Sequence, residues 1–263
     1  MSDELAPRRL GFGFWSFIVF MLALTALFVS LGIWQVNRLA QKEALIAAVD
    51  ARLHLAPLNL PPVAEWGGLD PEVYSYRPVT VTGTFRNDQT VLVFTGLTEP
   101  RGKFSGPGYW VMTPLLLDTG GVVLINRGFV PQSSAPEFAR GSTGPTGPQT
   151  VTGVALLPET AGAFTPGPDS ANRIDWIRDP QRLAAMIDPA LTPLAGFFID
   201  APAGEPGALP QGGETTIEFP NNHLGYAFTW FGFAILTPIL LAAWIWRQIR
   251  PKAKNVAASA PNH

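Results

Sequence analysis

Three histidines occur in the 263 residues, and one of them, His223, stands at the doorway of the last long uncharged stretch, Leu224 to Trp246. Spaced at i, i+3 and i+7, His223, Tyr226 and Trp230 share one face of a helix. An imidazole backed by aromatic rings at a membrane edge suits a flat apolar cofactor, and it equally suits simple interfacial anchoring. A second set, Trp34, Gln35 and Arg38, leaves an earlier uncharged stretch, Leu10 to Trp34. If both stretches span a membrane and pack, the two sets meet in one leaflet. Haem asks for that mixture: an axial nitrogen ligand for the iron, apolar walls, and a cation for the propionates. The competing account needs no cofactor. In it the rings of Trp34, Tyr226 and Trp230 form an interfacial belt, Asn222 caps the second helix and Arg38 snorkels.

Other chemistries find less support. With no cysteine, the chain has no disulfide, no thiolate metal site and no covalent haem attachment through paired cysteines. The four methionines are scattered, which disfavours a soft copper site, and a net charge of −2 argues against a nucleic-acid partner. Neither His54 nor His223 lies beside a nucleophile elbow, and phosphate loops and dinucleotide fingerprints are absent. His54 reads as a helix-terminal surface residue. Asp175 and Asp179, with Arg173, Arg178 and Arg182, read as a solvated charged face. Arg77, before Pro78, and Arg127, at a strand end before Gly128, are either structural or free to meet a ligand or partner. No metal ligand other than His223, and that for haem iron alone, and no catalytic residue emerge.

The elements that must position the first two sets are helices of membrane length. A bilayer core of about 30 Å takes about 20 apolar residues, and both stretches exceed that. The first lacks a cleavage site for small residues and is read as a retained anchor, marked by Trp15 and Trp34 at its ends. Ala26 and Ser30, with Gly32 nearby, would let the second helix approach. The helix is expected to run on through Gln35 to Leu53, where Ala, Leu, Gln, Lys and Glu dominate, until Pro57 and Pro61-Pro62 stop it. Arg247, Arg250, Lys252 and Lys254 after the second stretch place that end in the cytoplasm. Two spans then put both termini there and everything between them outside, in the periplasm of a bacterium.

Between the spans the period changes to two. Strands are expected from Tyr74 through Phe85, over Thr90–Phe94, Tyr109–Leu117 and Val122–Val130, near Thr150–Val154, and over Leu194–Asp200 and Thr215–Phe219. Asp118-Thr-Gly-Gly121 marks the clearest hairpin turn. Thr150-Val-Thr-Gly-Val154 echoes Val79-Thr-Val-Thr-Gly83, by duplication or by chance. Asp179 can cap a short helix with Pro180 at its first position. The 26 glycines and 26 prolines fit a loop-rich domain, notably from 131 to 149. The expected fold class is a membrane protein of α+β type. It has a cytoplasmic N-terminus (1–9), a transmembrane helix (10–34), a small antiparallel β sandwich or barrel-like periplasmic domain with one or two helices (35–222), a second transmembrane helix (223–246) and a cytoplasmic tail (247–263).

Five motifs in order resemble the surfeit-locus family of cytochrome c oxidase assembly factors: Leu31–Leu39 (LGIWQVNRL), Tyr76–Gly83 (YRPVTVTG), Gly106–Pro114 (GPGYWVMTP), Asn126–Pro131 (NRGFVP) and Asn221–Trp230 (NNHLGYAFTW). Departures fall at Trp110, Phe129 and the loop from 131 to 149. The resemblance covers about residues 10 to 247. It implies a non-enzymatic, chaperone-like helper in the cell inner membrane that assists biogenesis of a haem-copper oxidase of the respiratory chain. It also implies binding of haem a, with the histidine at position 223 as candidate iron ligand, and delivery towards the catalytic subunit. Implied partners are cytochrome c oxidase subunit I, the haem a synthesis machinery, membrane lipid and, optionally, a second copy as homo-oligomer. A cofactor-free scaffold that docks oxidase subunits through the periplasmic domain is the alternative.

Overall fold

The computed structural model describes residues 11–68, 70–139, 143–215, 217 and 219–250. The chain divides into two compact units, a helical one (residues up to Ile46 and from Phe219) and a sheet-bearing one (Ala47–Glu218). The basic residues Arg8, Arg9, Lys252 and Lys254, used above for orientation, lie outside the described residues.

The helical unit contains most of α1 (Phe12–Leu53) and all of α5 (His223–Ile249). Both are long and apolar enough to cross a membrane. As expected, α1 continues without a break past Gln35, and Arg52 in its last turn complements the helix dipole. The two helices pack antiparallel, one index rising as the other falls. Phe17 meets Trp244 at 4.5 Å, Phe28 meets Phe233 at 5.4 Å and Trp230 at 5.8 Å, and Lys42 lies 5.0 Å over the ring of Phe219. Ala227, Ala234, Thr237 and Leu241 are buried on one face of α5. The close approach expected of Ala26 and Ser30 falls elsewhere. Both are exposed, and Ser30 bonds back to the Ala26 carbonyl, whereas Gly32 is buried so tightly that an added Cβ would sit 2.6 Å from the Phe231 ring. Val19, Leu22, Phe228, Ile235 and Ile239 remain exposed on the outer faces. An apolar surface of that extent requires lipid or protein to cover it.

In the sheet unit, β1 (Leu58–Asn59), β2 (Arg77–Phe85), β3 (Val91–Leu97), β4 (Gly106–Leu117), β5 (Val122–Pro131), β6 (Pro148–Leu156), β7 (Ile174–Asp175) and β8 (Leu194–Asp200) form one sheet. Their order is β1-β2-β6-β8-β5-β4-β3-β7, with an additional β2–β4 pairing. The expected antiparallel sheet is corrected here. The pairings β1–β2, β3–β7 and β5–β8 are parallel, so the sheet is mixed. The hairpin β4–β5 forms as expected, and its turn needs the positive φ of Gly120 (+87°) and Gly121 (+78°). The echoed Val-Thr strands are antiparallel neighbours, β2 against β6. Their threonines face each other in two exposed pairs, Thr80–Thr152 at 2.8 Å and Thr82–Thr150 at 3.0 Å.

The short helices are α2 (Pro71–Tyr74), α3 (Ala135–Phe138) and α4 (Pro180–Ala184). Asp179 caps α4 as expected, accepting from the Gln181 amide. α3 sits inside the expected loop from 131 to 149, of which residues 140–142 lie outside the described residues. The closing strand expected over Thr215–Phe219 does not form at Thr215, Ile217 or Phe219, and positions 216 and 218 lie outside the described residues.

Apolar side chains gather on both faces of the sheet. Val123, Ile125, Phe197 and Ile199 join Tyr74, Val79 and Leu115 on one, while Val122, Leu124 and Phe198 join Met112, Leu183 and Ile187 on the other. Period-two geometry sorts neighbours this way, and two covered faces account for the near-continuous apolar runs of β5 and β8. Burial of each such side chain stabilises the fold by roughly 1.5–3 kcal/mol.

Candidate functional site

The central contact of the helical unit is a hydrogen bond between Nδ1 of His223 and Oε1 of Gln35, 2.8 Å. Gln35 is 7% exposed, on the face of α1 that meets α5. An amide oxygen can only accept, so Nδ1 carries the proton. An imidazole whose Nδ1 donates in this way keeps Nε2 as the nitrogen that can ligate a metal. α5 starts at His223 itself, so the ring sits on the first residue of a helix, fixed from across the pair.

The remaining members of the two sets are placed differently. Trp230 stacks on Phe28 and meets Phe233 at 6.2 Å, an aromatic wall about two to three turns beyond His223. Tyr226 and Trp34 are more than half exposed, at 57% and 52%. Arg38 donates to Gln41 at 3.0 Å on the exposed side of α1. Asn222 occupies the N-cap position of α5 without a side-chain capping bond, so capping does not explain it. Its neighbour Asn221 keeps a buried Oδ1 with no hydrogen-bond partner. Lys42, which the motif reading passed over, is the cation set against Phe219. Its seven-residue spacing from Gln35 was the available signal.

The donor set fits a haem in part. A lone-pair nitrogen, an aromatic wall, an orphaned polar oxygen and a nearby ammonium are present. Tyr226 and Trp34 supply apolar surface on the outer side rather than an enclosed pocket, which suits a ligand with a lipid-soluble tail.

Arg77 and Arg127 belong to the sheet unit, and each has a local partner. Arg77 reaches the Ala56 carbonyl at 3.4 Å and keeps a buried Nε unsatisfied. Arg127 donates to the Thr143 carbonyl at 3.1 Å and lies 5.7 Å from the Phe85 ring, and burial lowers its pKa. The register shift between Trp110 and Met112, opposite Phe129 and Asn126, gives β5 one extra residue at Arg127–Gly128, a bulge, so Arg127 lies within the strand and not at its end as read from the sequence. Gly128 is obligatory there: φ is +129°, and a Cβ would lie 2.4 Å from the Gln211 backbone.

Of the cluster read as a solvated charged face, Asp175 is buried, while Arg173, Arg178, Asp179 and Arg182 are half-buried. Asp175 is fully buried and takes Arg182 at 2.7 Å, and Asp200 is 3% exposed. Asp200 accepts from Asn126 at 2.9 Å and from Arg178 at 3.3 Å, and the Thr215 hydroxyl also donates to it. Arg178 also binds Glu159 at 2.6 Å and lies between the Trp110 and Phe198 rings. Burial raises the Asp200 pKa against the pull of Arg178, Thr215 and Asn126. Sequence spacing could not find this set, because Glu159, Asp200 and Asn126 come from separate elements.

Fold and site together define a protein with two membrane-length helices clasping a tautomer-fixed imidazole, joined to a mixed-sheet unit. The model of the SURF1 family matches residues 22–235, a range that includes both Gln35 and His223. A SURF1-like protein of Monosiga brevicollis is 36% identical over 97% of this chain and 94% of its own length. Surfeit locus protein 1 of mouse is 30% identical over 88% of this chain and 75% of its own, and that of human 30% over 91% and 80%. The chain belongs to the SURF1 family.

Proposed function

We propose that this chain is a non-enzymatic assembly factor for haem-copper cytochrome c oxidase. In this reading it resides in a bacterial inner membrane with its sheet unit in the periplasm. It holds haem a at the outer membrane edge and assists its insertion into the catalytic subunit. Family membership and the motif resemblance support the assembly role. The bacterial setting is part of the proposal, since the relatives compared are eukaryotic.

The observation that carries the haem reading is the Gln35–His223 hydrogen bond, which leaves Nε2 of His223 as the available ligand. Trp230 would wall the site, Tyr226 and Trp34 would cover the ring edge, and Asn222 would flank it. Arg38, Arg77 and Arg127 are candidate partners for propionates or oxidase subunits, and Lys42 joins them. Bound haem would supply an iron centre with one strong protein ligand. A single ligand suits a carrier that must release its cargo.

The test is the haem content of full-length protein purified from a host that makes haem a, read by pyridine haemochrome spectra. His223→Ala should lose the haem while inserting and melting like the parent. Unchanged haem content would remove His223 as ligand. A colourless parent that still captures oxidase subunits would favour the cofactor-free scaffold, a reading that the elaborate buried network of the sheet unit also suits.

A further inference from the structure

Strand β3 is covered along one edge and abandoned along the other. On one side β4 pairs with it from Val91 to Leu97. On the other, β7 pairs only with Leu92 and Val93. β7 stops for a local reason: the buried Asp175 carboxylate takes the Trp176 amide and Arg182, both at 2.7 Å, and the chain turns away. The vacated lane is a cleft of about 380 Å³ beside Phe94–Glu99, flanked by Trp176 and Arg178.

The phase of the open edge follows from one bond. The Leu92 amide donates to the Arg173 carbonyl on the β7 side. The N–H and C=O of a strand residue point to the same side, and successive residues alternate. The Phe94 amide therefore faces β7 and is met by the Asp175 carbonyl, whereas the Phe94 carbonyl and both groups of Gly96 aim into the lane, where no strand among the described residues meets them. Exposed edges are normally blunted by lysine, proline or a bulge. Val91–Leu97 has no charge and no proline, and a Cβ on Gly96 would meet nothing within 4 Å. The charge of the lining is lopsided. Of the three carboxylates that line the cleft, Glu159 pairs with Arg178 and the buried Glu214 accepts from the Arg101 and Gly102 amides, which leaves Glu99 as the exposed one.

We propose that this lane takes an extended segment of a partner polypeptide as an added strand, its main chain on the Phe94 carbonyl and on Gly96 and a basic side chain towards Glu99. Affinity would come from main-chain pairing and selectivity from the acidic rim. The surface lies wholly within the sheet unit and needs no cofactor, so its success or failure is separate from that of the haem reading.

The test uses full-length protein in nanodiscs and two six-residue peptides, one alternating valine with lysine and one alternating valine with glutamate. Amide exchange at Gly96 should slow with the lysine peptide, which should bind at least about tenfold more tightly than the glutamate peptide. Gly96→Pro removes the outward donor and should abolish the effect, since proline is tolerated on an open edge. Glu99→Lys, on an exposed residue, should reverse the preference between the peptides even if Gly96→Pro folds poorly. No slowing at saturating lysine peptide, or equal binding of both peptides, would overturn the proposal. So would slowing that rises with protein concentration in the absence of peptide, which would instead assign the lane to a second copy of this chain.

Discussion

Gln35 turns its amide oxygen, rather than its NH2, towards Nδ1 of His223. Left alone, the buried Gln35 amide would cost about 1–3 kcal/mol, and the half-buried His223 ring satisfies it. The bond also chooses the tautomer, which is what a carrier ligand requires. Gln35 is therefore a positioning residue, and its removal should act through the ring. Gln35→Leu is expected to weaken haem retention by about 10–100-fold, the usual effect of deleting a partner behind a ligating histidine. Gln35→Glu keeps an acceptor and makes the imidazole more electron-rich. It should retain haem and lower its midpoint potential, which a purely structural role would not do. Redox titration of the three proteins checks this, and an unchanged potential in the glutamate variant would count against the positioning role. At this scale the sequence disclosed much of the site. Topology alone set Gln35 and His223 in one leaflet, but it could not tell that Trp230 would turn inward on Phe28 while Tyr226 stayed outside. Such choices depend on helix rotation, which a pattern apolar on all sides leaves free.

Elements were legible where local chemistry decides them and opaque where partners do. The β4–β5 hairpin, the Asp179 cap and the run of α1 to Leu53 follow from turn residues, capping and propensity, and all three formed. Parallel pairing of β8 with β5 did not follow, because an apolar run buried on both faces carries no direction. Nor did the ion network at the end of β8, whose members are brought together by that pairing. Its consequence is a pH dependence of definite sign. With the Asp200 pKa raised by burial, the fold retains a proton over a pH range in which the unfolded chain has lost it. Stability is then greatest on the acid side and falls as pH rises through that range. Asp88 has the opposite sign, held to about 2 chiefly by Arg86, but it is largely exposed and contributes little. Asp200→Asn should flatten the decline that begins as pH rises past the ordinary aspartate pKa. Thermal melts followed by tryptophan fluorescence measure this, and an unaltered slope would show that other groups set it.

For the whole molecule, the proposed topology sets the ruling constraint: if both helices cross a membrane, the segments flanking them lie on one side. Arg247 and Arg250, just after α5, with Lys252 and Lys254 beyond the described residues, favour the cytoplasm for that end. Everything between the spans then lies outside, where the proposed cargo and partner surfaces must operate. The chain offers a clean way to test this, because it contains no cysteine and any thiol introduced is the only one. Phe164 is 99% exposed in the sheet unit, so Phe164→Cys disturbs no packing. A membrane-impermeant maleimide applied to intact bacterial cells permeable only at the outer membrane should label Phe164→Cys fully. Ser259→Cys in the tail should label only after the inner membrane is opened. The reverse pattern would place the sheet unit in the cytoplasm and move His223 to the inner leaflet. Labelling of both sites in intact cells would mean that the chain does not cross twice. Either result would remove the outer-edge haem site, because that site exists only if the Gln35–His223 end of the helix pair faces the periplasm.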